Sequence, residues 1–487
     1  MATTGERFAN RLLSIHRFVN RSLVGRLLQN MLPGGATAAA PSPLVRQLGK
    51  SALVVDADAL LLKPSPGAAF PPYFLVAVEA GGYIRGLVLL ALYPVLHVLP
   101  HGARAKAMAF VSFCGLRRDE AARIGRAVLP KLFSREVPPG TPGIEALNAL
   151  PKEVKVVAVS RTFPTVMVEA FLKEYVGFHV VAGRELKGGP RYLTGVMAEF
   201  DDTERLPRVL KQTERTSCSY PKPVVFHDGR LAFMPTPVAA LAMYIYFPFA
   251  VVLAVIRIAI YVLLPWRLSS VVAALTGVRV RVIGPTPAAE DGNAKPHGGR
   301  LYACNHRTLL DPVGIACALK RPVAAVTYSL SRLSEVLSPI PLRRLTRNRE
   351  EDRRRMSSML ARGDVVVCPE GTTCREPHLL RFSPLFAELA SEVTPVAVDA
   401  RTTVFYATST SPVAKSFDSV YFLMNPRPEY SVQFLEPVNT ESGKSSIEVA
   451  NEVQRALASA LGFEGTALTR KDKYLLLAGN EGVVKTK

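Results

Sequence analysis

The chain has 487 residues, of which 48% are hydrophobic and 21% charged, and its formal net charge is +20. This composition excludes a disordered chain, and the length predicts two or three domains. The basic excess predicts an anionic partner, but no zinc-spaced Cys/His cluster or RNA-binding signature occurs, so we do not expect nucleic acid. A mean hydropathy of +0.18 favours membrane-buried segments. Six scattered cysteines favour reduced thiols facing a cytosol-like compartment.

The first segment, 1–47, is basic, and Glu6 is its one acidic residue. Apolar residues recur at near-helical spacing between arginines, which predicts a basic amphipathic segment. Three interpretations stay open: a mitochondrial transit peptide, a helix lying on an anionic membrane, or a solvated basic tail. No signal-peptide core is present at the start, so we do not expect secretion.

The second region, 48–235, contains two apolar runs that are each followed by polar or helical sequence. "SALVV" precedes Asp56 and Asp58, and "VKVVAVS" ends at Ser160 before the helical pattern of "TVMVEAFLKEY". Strand and helix in alternation predict an α/β sheet domain, which ends near "VVFHDGRL".

Two long apolar stretches interrupt this pattern. The first, about 74–99, contains Glu79 and Arg85, and its uncharged part is too short to span ~30 Å of hydrocarbon. The second lies within 236–268, carries Arg257 as its one internal charge, and exceeds the ~20 residues that a span requires. We predict that this second stretch is a membrane segment. It could be a span, a hairpin bent at Pro248, or a buried core helix.

After a Pro/Gly-rich linker the α/β pattern resumes and predicts a second domain over 269–478, followed by a basic tail, 479–487. Predicted strands are "RLYAC", "DVVVC" and "VTPVAV", and predicted helices are "DPVGIACALK" and "SPLFAELAS".

A histidine and a carboxylate lie in the turn between the first strand and the first helix of this domain. Proline favours the first helical position, so Pro312 places Asp311 at the helix cap and His306 in the turn. A carboxylate that accepts from one ring nitrogen fixes the tautomer and leaves the other nitrogen free to take a proton. This is the base half of a catalytic triad, and the nucleophile would be a substrate hydroxyl. The alternative is that Asp311 only caps the helix and that His306 is a turn residue.

Two further segments indicate anion binding. "VVVCPEGTTCRE" ends a strand in Glu370 and Gly371, and a glycine after a strand frees backbone N–H groups to hold an anion. Glu370 could orient a polyol hydroxyl. The arginines of "LRRLTRNREEDRRRM" form a solvated or membrane-facing basic face, from which one or two could contact a phosphate.

These segments resemble the conserved blocks of glycerolipid acyltransferases. "NHRTLLDP" resembles the N-H-x-x-x-x-D block, "CPEGTTCRE" the P-E-G-T block and "VTPVAV" the V-P-V block, with the arginine-rich block between the first two. "PEGTTCREPHLLRFSPLFAEL" and "TRKDKY" resemble the land-plant glycerol-3-phosphate acyltransferases of cutin, suberin and pollen-wall synthesis. The resemblance covers nearly the whole chain after residue 48.

The resemblance implies roles for individual residues. His306 would be the general base and Asp311 its orienting carboxylate, with direct attack of the hydroxyl on an acyl-CoA thioester. Arg347 would hold the glycerol phosphate. The third block in chain order is the P-E-G-T block, and the substrate-binding residues that it implies are Glu370, Gly371 and Thr372. Thr373 stands where many members have arginine, so the resemblance assigns the phosphate contact there to Arg375.

The first domain resembles HAD-type phosphatases, which require an Asp nucleophile, a second Asp and Mg²⁺. Asp56 and Asp58 match the first motif, and Ser160 matches the phosphate-binding position. No Gly-Asp pair occurs between residues 187 and 223, and Asp201 and Asp202 lack the glycine turn that would aim them. We therefore interpret Asp56, Asp58 and Ser160 as vestigial, and we expect no metal site, no cofactor and no Mg²⁺ requirement.

The sequence thus predicts two α/β domains, one HAD-like and one of acyltransferase type, joined by a membrane-embedded helical segment. The expected reaction acylates glycerol 3-phosphate, with the sn-2 hydroxyl favoured, and gives lysophosphatidic acid. Alternatives are a bifunctional enzyme that releases monoacylglycerol, a lysophospholipid acyltransferase, and a non-enzymatic scaffold. The expected location is the endoplasmic reticulum membrane with a cytosolic catalytic domain, and the alternative is a mitochondrial membrane.

Overall fold

The computed structural model describes residues 45–48, 52–62, 67–137, 144–145, 147, 155–199, 226–287, 299–327, 335, 338–346, 348–441 and 443–481. The predictions for residues 1–44, for Asp201 and Asp202, and for Arg347 lie outside these described residues.

The first domain is built on a four-stranded sheet with the order β1-β2-β3-β4. β2, β3 and β4 are parallel, and β1 is antiparallel to β2. The strands of this domain are β1 Val45–Leu48, β2 Ala52–Asp56, β3 Lys155–Pro164, β4 Val180–Arg184, β5 Leu186–Gly188 and β6 Leu193–Met197. The predicted α/β architecture is confirmed. The prediction that the second strand ends at Ser160 is wrong, because the buried Thr162 and Phe163 continue it to Pro164.

Residues 144, 145 and 147 are helical. Among the described residues, the first domain has seven longer helices, six before β3 and one after it. They are α1 Ala57–Leu61, α2 Phe70–Glu79, α3 Tyr83–Val98, α4 His101–Phe113, α5 Arg118–Ala127, α6 Leu129–Glu136 and α7 Thr165–Ala170. α7 continues as a π-helical turn over Phe171–Val176, which ends at Gly177 with a φ of 89°. The helix predicted from "TVMVEAFLKEY" is therefore present, with a wider last turn.

The first apolar stretch, 74–99, is divided between two environments. Gly82, with a φ of 86°, separates α2 from α3. α2 is buried along almost its whole length and packs on the sheet, whereas α3 leaves apolar side chains such as Ile84 and Val95 exposed. Hydropathy alone treated this stretch as one unit, but its first part belongs to the core of the first domain.

The second apolar stretch forms one continuous helix, α8 Pro237–Leu263, followed by α9 Trp266–Leu275. The helix passes through Pro248 without a break, so the hairpin interpretation is wrong. Its most apolar 18 residues have a mean hydropathy of 2.3 and are 22% buried, so it is long and apolar enough to cross a membrane. This low burial also argues against a core helix of a soluble protein.

The second domain contains an eight-stranded mixed sheet with the order β10-β9-β11-β8-β13-β14-β7, and β15 pairs with β13. β10, β9, β11, β8 and β13 run parallel, while β14 is antiparallel to β13. The strands are β7 Arg279–Ile283, β8 Leu301–Cys304, β9 Ala324–Thr327, β10 Leu342–Arg344, β11 Val365–Val367, β12 His378–Leu379, β13 Glu392–Arg401, β14 Glu429–Phe434, β15 Val438–Asn439 and β16 Glu464–Gly465. The three strands predicted from the sequence, β8, β11 and β13, are confirmed.

The carboxyl ends of neighbouring parallel strands meet at one edge of the sheet, so the residues after β8 and β11 lie side by side. The helices of this domain are α10 Asp311–Leu319, α11 Arg349–Leu360, α12 Pro412–Lys415, α13 Asp418–Leu423, α14 Ser446–Leu461 and α15 Arg470–Ala478. The helix predicted from "SPLFAELAS" is instead a short 3₁₀ turn, Pro384–Glu388, because β13 already begins at Glu392.

Candidate active site

The turn after β8 is fixed to the sheet by a buried asparagine. The Asn305 side-chain amide donates to the carbonyl of Val398 on β13 and its oxygen accepts from the Val398 N–H, both at 2.8 Å. Because both halves of the amide are used, the chain leaves β8 in one direction and places His306 at the sheet edge.

The structure brings His306 and Asp311 together. The His306 Nδ1 lies 2.9 Å from the Asp311 Oδ2, and Asp311 is fully buried. The same carboxylate accepts from the backbone N–H groups of Arg307, at 2.6 Å, and Thr308, at 2.9 Å, and from the Thr308 hydroxyl.

Asp311 is the first residue of α10 rather than its cap, which corrects the sequence prediction. Its carboxylate closes the preceding turn because the free N–H groups of that turn face it. The contact with His306 therefore belongs to a rigid loop and does not depend on side-chain flexibility.

The His306 ring faces a cavity through the edge that Asp311 does not use. With Nδ1 bonded to the carboxylate, Nε2 is the nitrogen left to exchange a proton with a ligand. Burial of the ring favours its neutral form, but Cys368 and Asp311 outweigh burial and hold the pKa of His306 above its ordinary value of 6.5. The arrangement places a histidine, oriented by a carboxylate, beside the cavity.

The cavity beside His306 has a volume of about 240 Å³ and mostly apolar walls. Representative lining residues are Ile258 and Tyr261 of α8, Val280 of β7, Val313 of α10, Phe422 of α13 and Tyr430 of β14. Among the described residues that line the cavity, Lys415 is the only side chain besides His306 that can carry a positive charge. No motif marks Lys415 in the sequence, because it is an isolated lysine outside the recognised blocks.

Glu370 has different partners from those that the sequence predicted. One carboxylate oxygen accepts from the His306 N–H at 2.7 Å, and the other accepts from the Leu380 N–H at 2.9 Å. Burial raises the pKa of Glu370 to about 7, although both N–H groups favour its charged form. The carboxylate thus holds the histidine backbone, and its contact with a polyol hydroxyl stays a prediction.

The rest of the third block divides between the cavity and the protein interior. Gly371 lines the cavity with a φ of 68°, a conformation that a residue with a side chain rarely adopts. Thr372 is buried behind it, and the Thr373 carbonyl accepts from the Lys473 ammonium at 2.6 Å. "TRKDKY", which contains Lys473, thereby supports this block from α15.

Arg375 lies away from the His306 cavity, in a second pocket that also contains Arg307, Arg401 and Tyr406. Its guanidinium donates to the carbonyls of Gly229 and His227, both at 2.7 Å. Two of its nitrogen atoms are therefore bonded to backbone groups, and the phosphate contact of Arg375 stays a prediction.

Cys368, which sequence reasoning missed, is the nearest thiol to the catalytic pair. Its Sγ lies 3.5 Å from the Sγ of Cys304 on the neighbouring strand. His306, Asp311 and Cys368 place possible ligand atoms within 4.8 Å of one another and could hold a metal ion. Because the Asp311 carboxylate already accepts from a ring nitrogen and two N–H groups, a metal bound there would displace the contact that orients the histidine.

Comparison with known proteins identifies the family. The family model described as "Glycerol-3-phosphate acyltransferase RAM2-like, HAD-like domain" matches residues 52–227, and the model described as "Acyltransferase" matches residues 279–405. The probable glycerol-3-phosphate acyltransferase 3 of Arabidopsis thaliana is 41% identical, covering 91% of this chain and 93% of that protein. The chain belongs to the glycerol-3-phosphate acyltransferase family.

Other relatives agree with this assignment. Glycerol-3-phosphate acyltransferase 1 of Arabidopsis thaliana is 40% identical over 88% of this chain and 82% of its own length. Glycerol-3-phosphate acyltransferase RAM2 of Petunia hybrida is 39% identical over 86% of this chain and 96% of its own length. The solved PlsC acyltransferase of Thermotoga maritima has a TM-score of 0.28 at 14% identity, covering 46% of this chain and 94% of its own, which is too low to support an argument.

The HAD-like domain brings its three predicted residues together, with Asp56 at the end of β2, Asp58 in α1 and Ser160 within β3. The Asp58 carboxylate accepts from the Ser160 hydroxyl at 2.5 Å and from the N–H groups of Arg161 and Thr162 at 2.8 and 2.7 Å. Asp56 caps α1 by accepting from the Asp58 N–H at 2.9 Å. Asp56 therefore stabilises the start of its own helix, whereas Asp58 ties α1 to β3.

Proposed function

We propose that this protein transfers an acyl chain from acyl-CoA to a hydroxyl of glycerol 3-phosphate and releases CoA and lysophosphatidic acid. The observation that carries the proposal is the His306–Asp311 pair, held by a rigid turn at the mouth of a mostly apolar cavity. The names of the relatives support the acceptor, and the apolar walls support a fatty acyl donor.

The His306 Nε2 takes the proton of the acceptor hydroxyl while that oxygen attacks the thioester carbonyl. The Asp311 carboxylate stabilises the imidazolium that forms, and the departing CoA thiolate receives the proton. General-base catalysis of this kind contributes about 10²–10⁴-fold. No acyl-enzyme is required, because the nucleophile arrives with the substrate.

For the acceptor phosphate we propose Arg347 as the main contact. Thr346 and Asn348, on either side of it, follow β10 at the carboxyl edge of the parallel strands, the edge that also carries His306. Lys415 is a second cation for the acceptor, and Gly371 allows close backbone approach. We propose the sn-2 hydroxyl as the preferred acceptor and precursors of cutin, suberin or pollen-wall polyester as the metabolic destination.

The product keeps its phosphate in this proposal. Phosphatase chemistry requires an aspartate free to attack and carboxylates free to bind Mg²⁺. Asp58 instead accepts three hydrogen bonds within its own domain, and Asp56 caps a helix. We therefore expect little monoacylglycerol, and the same product ratio from an Asp56→Asn variant. Monoacylglycerol that disappears in this variant would instead support the bifunctional alternative.

We propose that α8 lies in one leaflet of a membrane rather than crossing it. The Tyr246 hydroxyl donates to the Met424 carbonyl, and the Arg257 guanidinium donates to carbonyls at Leu423 and Asn425. These contacts are spaced over ~17 Å of helix at 1.5 Å per residue. A helix that crosses a bilayer alone contacts lipid on every side, whereas α8 packs against the acyltransferase domain along this length.

The opposite side of α8 is apolar and open. Ile245, Phe249 and Val255 are each more than 60% exposed, and the exposed apolar side of α3 lies nearby because Tyr244 donates to the Tyr83 carbonyl. Both domains would then lie on one side of the membrane, which we propose is the cytosolic face of the endoplasmic reticulum. Carbonate-washed microsomes should retain the protein, and protease added outside should digest both domains. Protection of one domain would contradict this arrangement.

The decisive assay uses purified full-length protein in lipid nanodiscs with labelled glycerol 3-phosphate and a panel of acyl-CoAs. We expect labelled lysophosphatidic acid and free CoA in equal amounts. Lysophosphatidic acid and lysophosphatidylcholine serve as competing acceptors. Acylation of these lipids without acylation of glycerol 3-phosphate would favour the lysophospholipid alternative.

A further inference from the structure

A buried segment at the end of the HAD-like domain is joined to the acyltransferase domain by charged and polar groups. Asp228 accepts from Arg123 of α5 at 3.2 Å and from both the N–H and the hydroxyl of Thr410 at 2.7 Å. Arg230 donates to the Asp418 carboxylate at 2.8 Å and stacks on the ring of Tyr421. The relative placement of the two domains is thus fixed at this segment, which we define as the junction, residues 226–231.

Arg375 connects the junction to the third block. Its two terminal nitrogen atoms donate to the carbonyls of Gly229 and His227, and its guanidinium stacks on the ring of Tyr406 at 4.2 Å. The His227 N–H donates back to the Glu376 carboxylate at 3.0 Å. Two adjacent residues of the acyltransferase domain are therefore held by backbone groups of the first domain.

The P-E-G-T block is also bonded to the turn that runs from His306 to Asp311. The Arg307 guanidinium donates to the carbonyls of Cys374, Arg375 and Glu376 at 2.8, 2.5 and 2.7 Å. The Cys374 N–H donates to the His306 carbonyl at 2.7 Å. The Arg307 N–H donates to Asp311 at 2.6 Å. A continuous chain of hydrogen bonds therefore connects the junction, through Arg375 and Arg307, to the backbone of the turn that holds His306 against Asp311.

We propose that the HAD-like domain is a positioning element of the acyltransferase centre, which acts through Arg375 and Arg307 on the turn that holds His306 against Asp311. The domain then contributes to acyl transfer without any phosphatase chemistry of its own. Arg375 is a positioning residue and does not contact the acceptor phosphate. This inference rests on the acyl transfer proposed above.

Two variants test the path from opposite ends. Arg375→Ala removes the donors, and Gly229→Ala moves an acceptor, because a Cβ at Gly229 would lie 2.7 Å from the His227 ring and 3.0 Å from Val128. A displacement near 1 Å can reduce turnover by about 100-fold, so we expect kcat to fall by about tenfold or more in both. KM for glycerol 3-phosphate should change by less than about twofold, since the acceptor site is untouched.

A pH profile separates positioning from simple loss of folded protein. A looser His306–Asp311 contact removes part of what raises the pKa of His306, so the acid limb of kcat should move to lower pH in both variants. Loss of folded enzyme would lower kcat without moving the limb. Arg375→Lys should restore part of kcat, because an ammonium can still donate to one of the carbonyls.

The chain offers matched controls for both variants. Arg401 lines the same pocket but is exposed and bonded to Asp399, and Gly102 lies in the same domain as Gly229 with nothing within 4 Å of an added Cβ. Arg401→Ala and Gly102→Ala should keep wild-type kcat and pH profile. An unchanged kcat in either test variant, a kcat loss with an unmoved limb, or a rise in KM alone would overturn the proposal. Inactivity of the wild-type protein would instead refute the proposed function.

Discussion

The two domains each place aspartates after a strand of a parallel sheet, but they use them differently. In the HAD-like domain, Asp58 accepts from a hydroxyl and two backbone N–H groups. In the acyltransferase domain, Asp311 accepts from a hydroxyl, two N–H groups and, in addition, the ring of His306. The additional partner is titratable and faces a cavity.

The proposed mechanism gives Asp311 a chemical role, whereas the contacts of Asp58 are structural. Asp311 is fully buried and closes its own turn by accepting N–H groups, whereas Asp58 is half-buried and joins α1 to the distant strand β3. Chemistry becomes possible only where one donor can lose its proton and exchange it with a ligand.

Replacing His306 should have the largest effect. His306→Ala removes the base, so we expect acyl transfer to fall by about 10²–10⁴-fold while the turn stays closed by its backbone bonds to Asp311. Turnover of purified protein with labelled glycerol 3-phosphate measures this. His101→Ala, at an exposed histidine of α4, is the control and should keep full activity. Wild-type turnover in a folded His306→Ala protein would sink the mechanism.

Asp311→Asn should have the next largest effect. The amide keeps an oxygen for one N–H group, but it loses the charge that stabilises the imidazolium, so kcat should fall by about 10²-fold or more. Asp311 raises the pKa of His306, so the acid limb of kcat should also move to lower pH. A pH profile of kcat at saturating substrate measures both changes. A lower kcat with an unmoved limb would show that Asp311 serves only to close the turn.

Much of this comparison could be predicted from the sequence, because it depends on short-range patterns. The strands β8, β11 and β13 each contain a short apolar run, and the turn from His306 to Asp311 is closed by contacts three to five residues apart. The predicted cap position of Asp311 was wrong by one residue, since a carboxylate can close the turn before a helix as well as begin the helix.

The parts that could not be predicted depend on contacts far apart in the chain. Glu370 bonds an N–H group 64 residues away, and Arg375 bonds a carbonyl 146 residues away, and neither contact is visible in the local motif or in the family resemblance from which their substrate roles were predicted. The division of the apolar stretch 74–99 between core and exposed surface could not be predicted either, because it depends on which parts of the stretch contact the rest of the domain. Hydropathy measures the tendency of a side chain to leave water, and it does not distinguish burial in protein from burial in lipid.

Cys368→Ala should have a smaller effect that appears in the pH profile. The thiol lies beside the catalytic pair and raises the pKa of His306, whereas burial lowers it. Without the thiol, burial lowers the pKa of His306 with less opposition. The base form of His306 should then appear at lower pH, so the acid limb of kcat should move to lower pH. Cys317→Ala, at a thiol farther along the same cavity, is the control. A limb that moves up or stays in place would contradict the assigned cause.

Asp58→Ala should have the smallest effect on acyl transfer and a clear effect on stability. The change leaves the Ser160 hydroxyl and the N–H groups of Arg161 and Thr162 without their acceptor. An unsatisfied buried donor costs about 1–3 kcal/mol, so the free energy of unfolding should fall by at least about that much. Thermal unfolding of the full-length protein measures the loss, and kcat is compared well below the transition. Because the partners of Asp58 all lie within its own domain, kcat per folded molecule should equal that of the wild type. A fall in kcat without a fall in stability would give this carboxylate a chemical role, and the contrast between the two aspartates would then fail.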